Sequence, residues 1–502
     1  MNHNLFALFQ ARSPGHHQPV LETEDGRALT YGELWQLAGR LAEALSQAGA
    51  RPGDRVAAQV EKSPEALALY LGCLRAGFVY LPLNTAYQPP EVAYFLGDAQ
   101  PSVFVCRPGS LEALGPLAAA AGVAAVLTLD ADGSGTLASQ AAAARADGPV
   151  HVAAADDLAI IIYTSGTTGR SKGAMLTHGN LAANGLALAR AWGFGPADVL
   201  LHQLPLFHVH GLFISTHCVL LSGARMLFHR RFDAALALRS LPRCTVMMGV
   251  PTYYVRLLAE PGFDGAATAG VRLFVSGSAP LLMDTFRAFE TATGQRILER
   301  YGMSEAGVIT TNPLAGERRG GTVGLPLPGM EVRLASDGDL PVAAGEPGVV
   351  QIRGDSVFRG YWRMPEKTRE EFAEGGWFRT GDVGVVDEAG YLSIVGRARD
   401  LIISGGYNVY PKEIELELDA LPAVAESAVF GVAHPDFGEA VTAVVVLQPG
   451  ASLDEAAALA VLRQRLANYK VPKRIHVVSE LPRNAMGKVQ KNLLRDAWRD
   501  QA

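Results

Sequence analysis

Cysteine is scarce. The 502-residue chain holds four, Cys73, Cys106, Cys218 and Cys244, far apart and without paired spacing. That pattern argues against a Cys-ligated zinc site and a disulfide framework, and a reducing, cytoplasmic setting is expected. Basic blocks are missing too. With a net charge of −6, nucleic-acid binding has little electrostatic support. No apolar run reaches membrane length. The start, Met1-Asn2-His3-Asn4-Leu5-Phe6, lacks the basic residues and apolar stretch of a signal peptide. No membrane association is expected.

What is present fits a large soluble globular protein. Hydrophobic residues make up 49% and charged residues 19% of the chain, enough for sizeable cores in more than one domain. Thr30 and Glu33 form a capping-box pattern, and Leu34, Leu37, Leu41 and Leu45 follow on one helical face. Gly53 to Ala58 reads as a turn entering a strand. Glu65 to Ala76 has helical spacing and Phe78 to Pro82 reads as a strand. Strands alternating with helices predict a parallel sheet. The alanine-rich stretches 117–125 and 138–146 read as exposed helices and loop, with Gly133-Ser134-Gly135 between them as a turn.

The chain is organised around Tyr163-Thr164-Ser165-Gly166-Thr167-Thr168-Gly169-Arg170-Ser171-Lys172-Gly173. It follows the apolar run Leu158 to Ile162, a buried strand by pattern, and precedes Met175 to Asn180, after which helical spacing begins. The expectation is strand, loop, helix. Backbone N–H groups, hydroxyls and one lysine suit phosphate oxygens. Composition alone also fits a flexible surface turn. The kinase and GTPase loop does not match, because Ser171 precedes Lys172 and Gly173 replaces the magnesium-binding hydroxyl.

The ordered stretch resembles the phosphate loop of the adenylate-forming superfamily, which includes acyl-CoA synthetases, luciferases and adenylation domains. Further motifs follow in order: Leu206-Phe207-His208-Val209-His210, Val275-Ser276-Gly277-Ser278-Ala279-Pro280, Glu299-Arg300-Tyr301-Gly302-Met303-Ser304-Glu305, Thr380-Gly381-Asp382 and Asn484-Ala485-Met486-Gly487-Lys488. Each has a plainer reading: structural histidines, an ordinary turn aspartate, a solvated lysine.

The resemblance implies an α/β fold. A large N-terminal domain of mixed and parallel sheets with packed helices, 1–399, would precede a small mobile α+β lid, 400–502, hinged at Asp400. It implies ATP contacts from Thr164 through Lys172, from Gly277, Ser278 and Ala279, and from Glu299, Tyr301, Gly302, Met303 and Ser304. Asp382 would clasp the ribose, supported by Arg397. Glu305, assisted by Thr168, would hold Mg2+. Lys488 would enter the site when the lid closes, with His208 beside the reacting carboxylate. Gly405 and Gly406 would line the path of coenzyme A. A lysine acetyltransferase acting on Lys488 is a further expected partner.

The implied reaction joins a small carboxylic acid to CoA through an acyl-adenylate, releasing AMP and pyrophosphate. The whole sequence is most similar to malonyl-CoA synthetases. Arg256, in Pro251-Thr252-Tyr253-Tyr254-Val255-Arg256, offers a cation for the second carboxylate of malonate, with methylmalonate second. It also fits a surface helix residue. Alternatives are a medium-chain or aryl acyl-CoA synthetase, and a non-catalytic AMP- or CoA-binding sensor.

Overall fold

A computed structural model describes residues 2–164, 171–336, 338–397, 400–404, 407–434, 438–466, 468–484 and 487–499. The chain divides by packing into two compact units. The first comprises 1–331 and 352–376, the second 332–351 and 377–502. This division falls upstream of the expected boundary at Asp400. Packing density and a point of rotation are different properties, so Asp400 stays a proposal for the latter.

Two large sheets, among the described residues, build the first unit. In the seven-stranded sheet, Ala125–Thr128, Val103–Cys106, Arg55–Gln59, Val79–Pro82 and Leu158–Thr164 run parallel. Lys172–Thr177 and Gly360–Tyr361 then add antiparallel. The nine-stranded sheet has a parallel centre, Arg225–Phe228, Val199–His202, Val246–Gly249, Leu273–Ser276 and Leu298–Met303. Gly307–Thr311 closes antiparallel on the last of these. Central strands such as Leu273–Ser276 are buried throughout, as sheets covered on both faces require.

Local signals explain many boundaries. Thr30 caps the helix Tyr31–Gln47, and the capping box with Glu33 is present. Leu34, Leu41 and Leu45 are buried on its inner face. The helix Pro64–Ala76 ends at Gly77, whose φ of 74° is the left-handed C-cap conformation. The alanine-rich stretch 117–125 differs in part from expectation. It leaves the helix Leu111–Ala120 and enters an edge strand, Ala125–Thr128, with Leu127 buried. Sheet pairing there outweighs alanine's helical preference.

The second unit includes the antiparallel pair Trp377–Val386 and Leu392–Arg397. It also holds a five-stranded sheet in which Val424–His434 and Gly438–Leu447 form a long antiparallel pair. The helices Pro411–Asp419 and Glu455–Arg465 pack on this sheet. Ile414, Leu418 and Leu462 from the helices are buried with Val429, Val441, Ala443 and Val445 from the strands. The helix Lys491–Trp498 closes the described chain. All four cysteines are buried and free, and among the described residues no helix is long and apolar enough to cross a membrane.

Candidate active site

The expected strand–loop–helix needs a correction. Leu158–Thr164 is followed across the loop by a second strand, Lys172–Thr177, with Thr164 opposite Lys172 and Tyr163 opposite Gly173. The helix begins only at His178, where Thr177 accepts from the Asn180 N–H. Gly173 packs tightly in this strand pair. A Cβ there would lie 2.8 Å from Ile161 Cγ2 and 3.3 Å from Trp362 Cβ. Ser165, Gly166, Thr167, Thr168, Gly169 and Arg170 lie outside the described residues. Ser171 is described, and its carbonyl accepts from the Tyr94 hydroxyl at 2.8 Å.

The loop's flanks meet Glu305. Its Oε1 accepts from the Tyr361 hydroxyl at 3.0 Å and from Thr164 Oγ1 at 3.4 Å. Glu305 is buried. Burial first, and the Glu305 charge second, push the Tyr361 phenol up. Lys172 Nζ lies 4.3 Å from the Tyr361 ring centroid and 3.5 Å from Glu371 Oε1. Sequence reading misses Tyr361 and Glu371 as neighbours of the loop. They come from a distant stretch of chain that no local pattern ties to it.

The donor set suits magnesium carried by ATP. Magnesium takes oxygen ligands, commonly one or two carboxylates completed by phosphates and water. Glu305 with the Thr164 hydroxyl beside it fits that need. No group of three or more His, Cys, Asp or Glu side chains placed to hold a metal ion occurs among the described residues. Thr168, expected to assist, lies outside the described residues.

The next three motifs converge on one another. Ser278 has a φ of 73°, a left-handed backbone that non-glycine residues seldom adopt and that recurs at functional sites. Its hydroxyl lies 3.2 Å from His210 Nδ1. Gly277 packs on Arg300, whose Nε would lie 2.4 Å from a Cβ there. Glu299 Oε1 accepts from the Leu281 N–H at 3.0 Å, tying the turn to the strand Leu298–Met303. Gly302 is pressed on the Gly307 carbonyl, 2.1 Å from where a Cβ would sit. Tyr301, Met303, Ser304 and Ala279 are half-buried along this edge.

Arg300 is the residue that sequence reading passes over. It is 5% exposed, and its Nε and Nη2 have no hydrogen-bond partner among the described residues. Burial pushes its pKa down to about 10. His210, also buried, is held well below the usual imidazole range by desolvation first and by Arg300 second. His208 is half-buried, its ring 4.7 Å from that of Phe207. Arg256, by contrast, is exposed on the helix Pro251–Leu258. The helix buries Tyr254 and Leu257 instead, so Arg256 is outside the buried cluster.

In the second unit, Asp382 and Arg397 are paired across antiparallel strands, with Nε to Oδ1 at 3.1 Å. Asp382 is buried, and its N–H donates to Thr380 Oγ1 at 3.1 Å. Lys488 is exposed on a tight turn. Its carbonyl accepts from the Asn484 N–H at 2.9 Å, and its N–H donates to Asn484 Oδ1 at 3.0 Å. Arg483 fastens this turn to Glu426, and Lys491 reaches Glu415 at 2.5 Å. Asp400 Oδ1 accepts from Arg495 at 2.7 Å. Gly405 and Gly406 lie outside the described residues.

Two family models match the chain: AMP-binding enzyme over residues 8–362, and AMP-binding enzyme C-terminal domain over residues 413–488. The chain belongs to the AMP-binding enzyme family. A sulfoacetate–CoA ligase from Cupriavidus necator is 37% identical over 476 residues, covering 94% of this chain and 93% of the relative. A malonate–CoA ligase from Arabidopsis thaliana is 34% identical over 528 residues, covering 95% and 86%. The crystal structure of ATP-bound MatB from Rhodopseudomonas palustris is 51% identical with a TM-score of 0.98, covering 100% of this chain and 99% of that one. This AMP-binding enzyme is an acid–thiol ligase of the AMP-forming acyl-CoA synthetase type.

Proposed function

We propose that the enzyme converts malonate, ATP and CoA to malonyl-CoA, AMP and pyrophosphate. The observation that carries the dicarboxylate reading is Arg300, a buried guanidinium beside His210 and Ser278. An unpaired buried charge is expensive, and an anionic end of a substrate supplies the missing partner. The malonate and sulfoacetate of the two relatives both carry a second anion, which supports the same reading. Arg256, exposed one turn into its helix, is a second cation for that end. Methylmalonate is the next candidate acid.

In the first half-reaction a carboxylate oxygen attacks the α-phosphorus of ATP, and the bond to the β-phosphate oxygen breaks. Two anions meet there, so positive charge is needed. Lys488 would supply it, contacting carboxylate and phosphate oxygens. Residues Thr164 to Lys172 would hold the outgoing phosphates, Glu305 the magnesium of MgATP, and Asp382 with Arg397 the ribose. Ser278 and Tyr301 would flank adenine. In the second half-reaction the CoA thiol loses its proton and attacks the acyl carbonyl, and AMP leaves. Rotation at Asp400 would withdraw Lys488 and bring Gly405 and Gly406 to the thiol path.

The test compares kcat/KM for malonate, sulfoacetate and propionate in Arg300→Met and Arg256→Leu proteins. Removing the cation that holds the distal anion should lower the malonate-to-propionate ratio by several hundred-fold or more, from roughly 3–5 kcal/mol for a broken buried pair. Propionate has no distal charge and serves as the internal control for folding. An unchanged ratio in both folded variants would remove the dicarboxylate reading in favour of a medium-chain or aryl acid. A parent enzyme preferring sulfoacetate over malonate would keep the anion subsite and change the acid.

A further inference from the structure

Lys62 and His202, 140 residues apart in sequence, meet in the interior of the first unit. Lys62 lies between the strand Arg55–Gln59 and the helix Pro64–Ala76, and His202 ends the strand Val199–His202. Both positions lie at the carboxyl ends of parallel strands, the edge where such sheets bind ligands. Lys62 is 7% exposed and His202 1%. Lys62 Nζ lies 2.8 Å from His202 Nδ1, donates to the His202 carbonyl at 2.9 Å, and sits 4.3 Å from the Phe228 ring centroid. Among the described residues no carboxylate lies within ion-pair distance of Lys62. Desolvation holds its pKa well below that of an ordinary lysine.

The far side of the imidazole settles its tautomer. His202 Nε2 is 3.0 Å from the Gly211 carbonyl. A carbonyl only accepts, so Nε2 carries the proton, and Nδ1 is left bare to accept from Lys62. Thr216 Oγ1 donates to the same carbonyl at 2.9 Å. Gly211 packs closely on the preceding turn, where an added Cβ would lie 2.1 Å from the Pro205 carbonyl oxygen. The π-helix His210–Ser215 begins at this point, and such widened turns recur at functional sites. The His208 carbonyl accepts from the Leu212 N–H at 2.9 Å. The chain of bonds therefore runs from Lys62 through His202 to the turn bearing His208 and His210.

We propose that Lys62 is a positioning residue of the acyl pocket: it holds His202 in its Nε2–H tautomer, and His202 fixes the His208–Gly211 turn against which the substrate carboxylate is placed. The proposal rests on the assignment of that turn to the acyl pocket. Lys62 touches no substrate. An apolar side chain would fill the same space without burying an amine, so the amine's role lies in the bond it donates.

The experiment measures KM for malonate and for ATP in Lys62→Met, in the Lys62→Met/His202→Gln double variant, and in His208→Ala. Lys62→Met should raise the malonate KM by about tenfold, the effect of losing a buried hydrogen bond, while the ATP KM stays within about twofold. In the double variant the glutamine amide donates to Gly211 without needing Lys62, and part of the malonate KM should return. Parallel rises in both KM values, or no rise for malonate, would overturn the proposal. An unchanged malonate KM in His208→Ala would overturn the pocket assignment and the proposal with it. A raised KM in His208→Ala with none in Lys62→Met would overturn the proposal alone. Should Lys62→Met not fold, 15N-histidine NMR of the unaltered enzyme, assigned with His202→Gln, reads the tautomer directly. A neutral Nε2–H ring supports the proposal, and an Nδ1–H or doubly protonated ring refutes it.

Discussion

For single residues, burial decides which charged groups matter to stability and which to chemistry. Asp419 illustrates the first. Desolvation pushes its carboxyl up to about 6, against the Ser427 hydroxyl bond at 2.7 Å and Lys412 at 4.0 Å. A raised folded pKa means the folded state binds more protons between about pH 4 and 6, so stability falls as pH rises through that window and stays lower above it. Asp419→Asn keeps an acceptor for Ser427 and removes the buried charge. Its apparent Tm should exceed the parent's at pH 7.5, by an effect on the order of 1–3 kcal/mol, and the gap should shrink at pH 5. Calorimetry at the two pH values checks this, and a gap that widens at pH 5 would contradict it. Under the proposed function Arg300 illustrates the second case, a buried cation with no ion pair to a carboxylate among the described residues. The motif Glu299-Arg300-Tyr301-Gly302 displays it in the sequence, but the direction of its side chain is not legible there. Arg256 reads as the better candidate from sequence because its helix is legible; its exposure is not.

Between elements, close backbone approach sets the geometry of the site. The strands Leu298–Met303 and Gly307–Thr311 pair where Gly302 meets the Gly307 carbonyl. Gly302→Ala forces a Cβ into 2.1 Å of that oxygen, so the strands must part. The expected outcome is a lower Tm and weaker ATP binding by calorimetric titration, with overpacking of about 1–3 kcal/mol. Gly97, inside the helix Pro89–Ala99, is the control. Nothing lies within 4 Å of its added Cβ, and Gly97→Ala should leave ATP binding intact while stabilising the helix by about 1 kcal/mol. Equal loss of ATP binding in both proteins would remove the strand-contact explanation.

Across the whole molecule, the two half-reactions need different constellations, and the exposed Lys488 turn belongs to the second unit. Lys488→Ala should abolish adenylation, read as ATP–pyrophosphate exchange, by about 100-fold or more for loss of a preorganised charge at the developing anion. Thioester formation from supplied malonyl-AMP should persist. Equal loss in both assays, with folding intact, would contradict the assigned role.

Neighbouring residues suffice for what is local. The Thr30–Glu33 capping box, the Gly77 helix stop, the buried strand Leu158–Thr164 and the order of the adenylate-forming motifs are all readable from residues close together in the chain. Dihedral preference, capping and periodicity act over that range. The strand Lys172–Thr177, where sequence shows only the end of a loop ahead of a helix, is a product of folding, because it forms by pairing with Leu158–Thr164. So are the meeting of Tyr361 with Glu305, the burial of Arg300 rather than Arg256, and the reach of Lys62 to His202. Those arrangements join segments far apart in the chain, 56 residues for Tyr361 and Glu305 and 140 for Lys62 and His202. They depend on how whole sheets and helices pack, a long-range balance of burial and polar satisfaction that no single stretch of chain encodes.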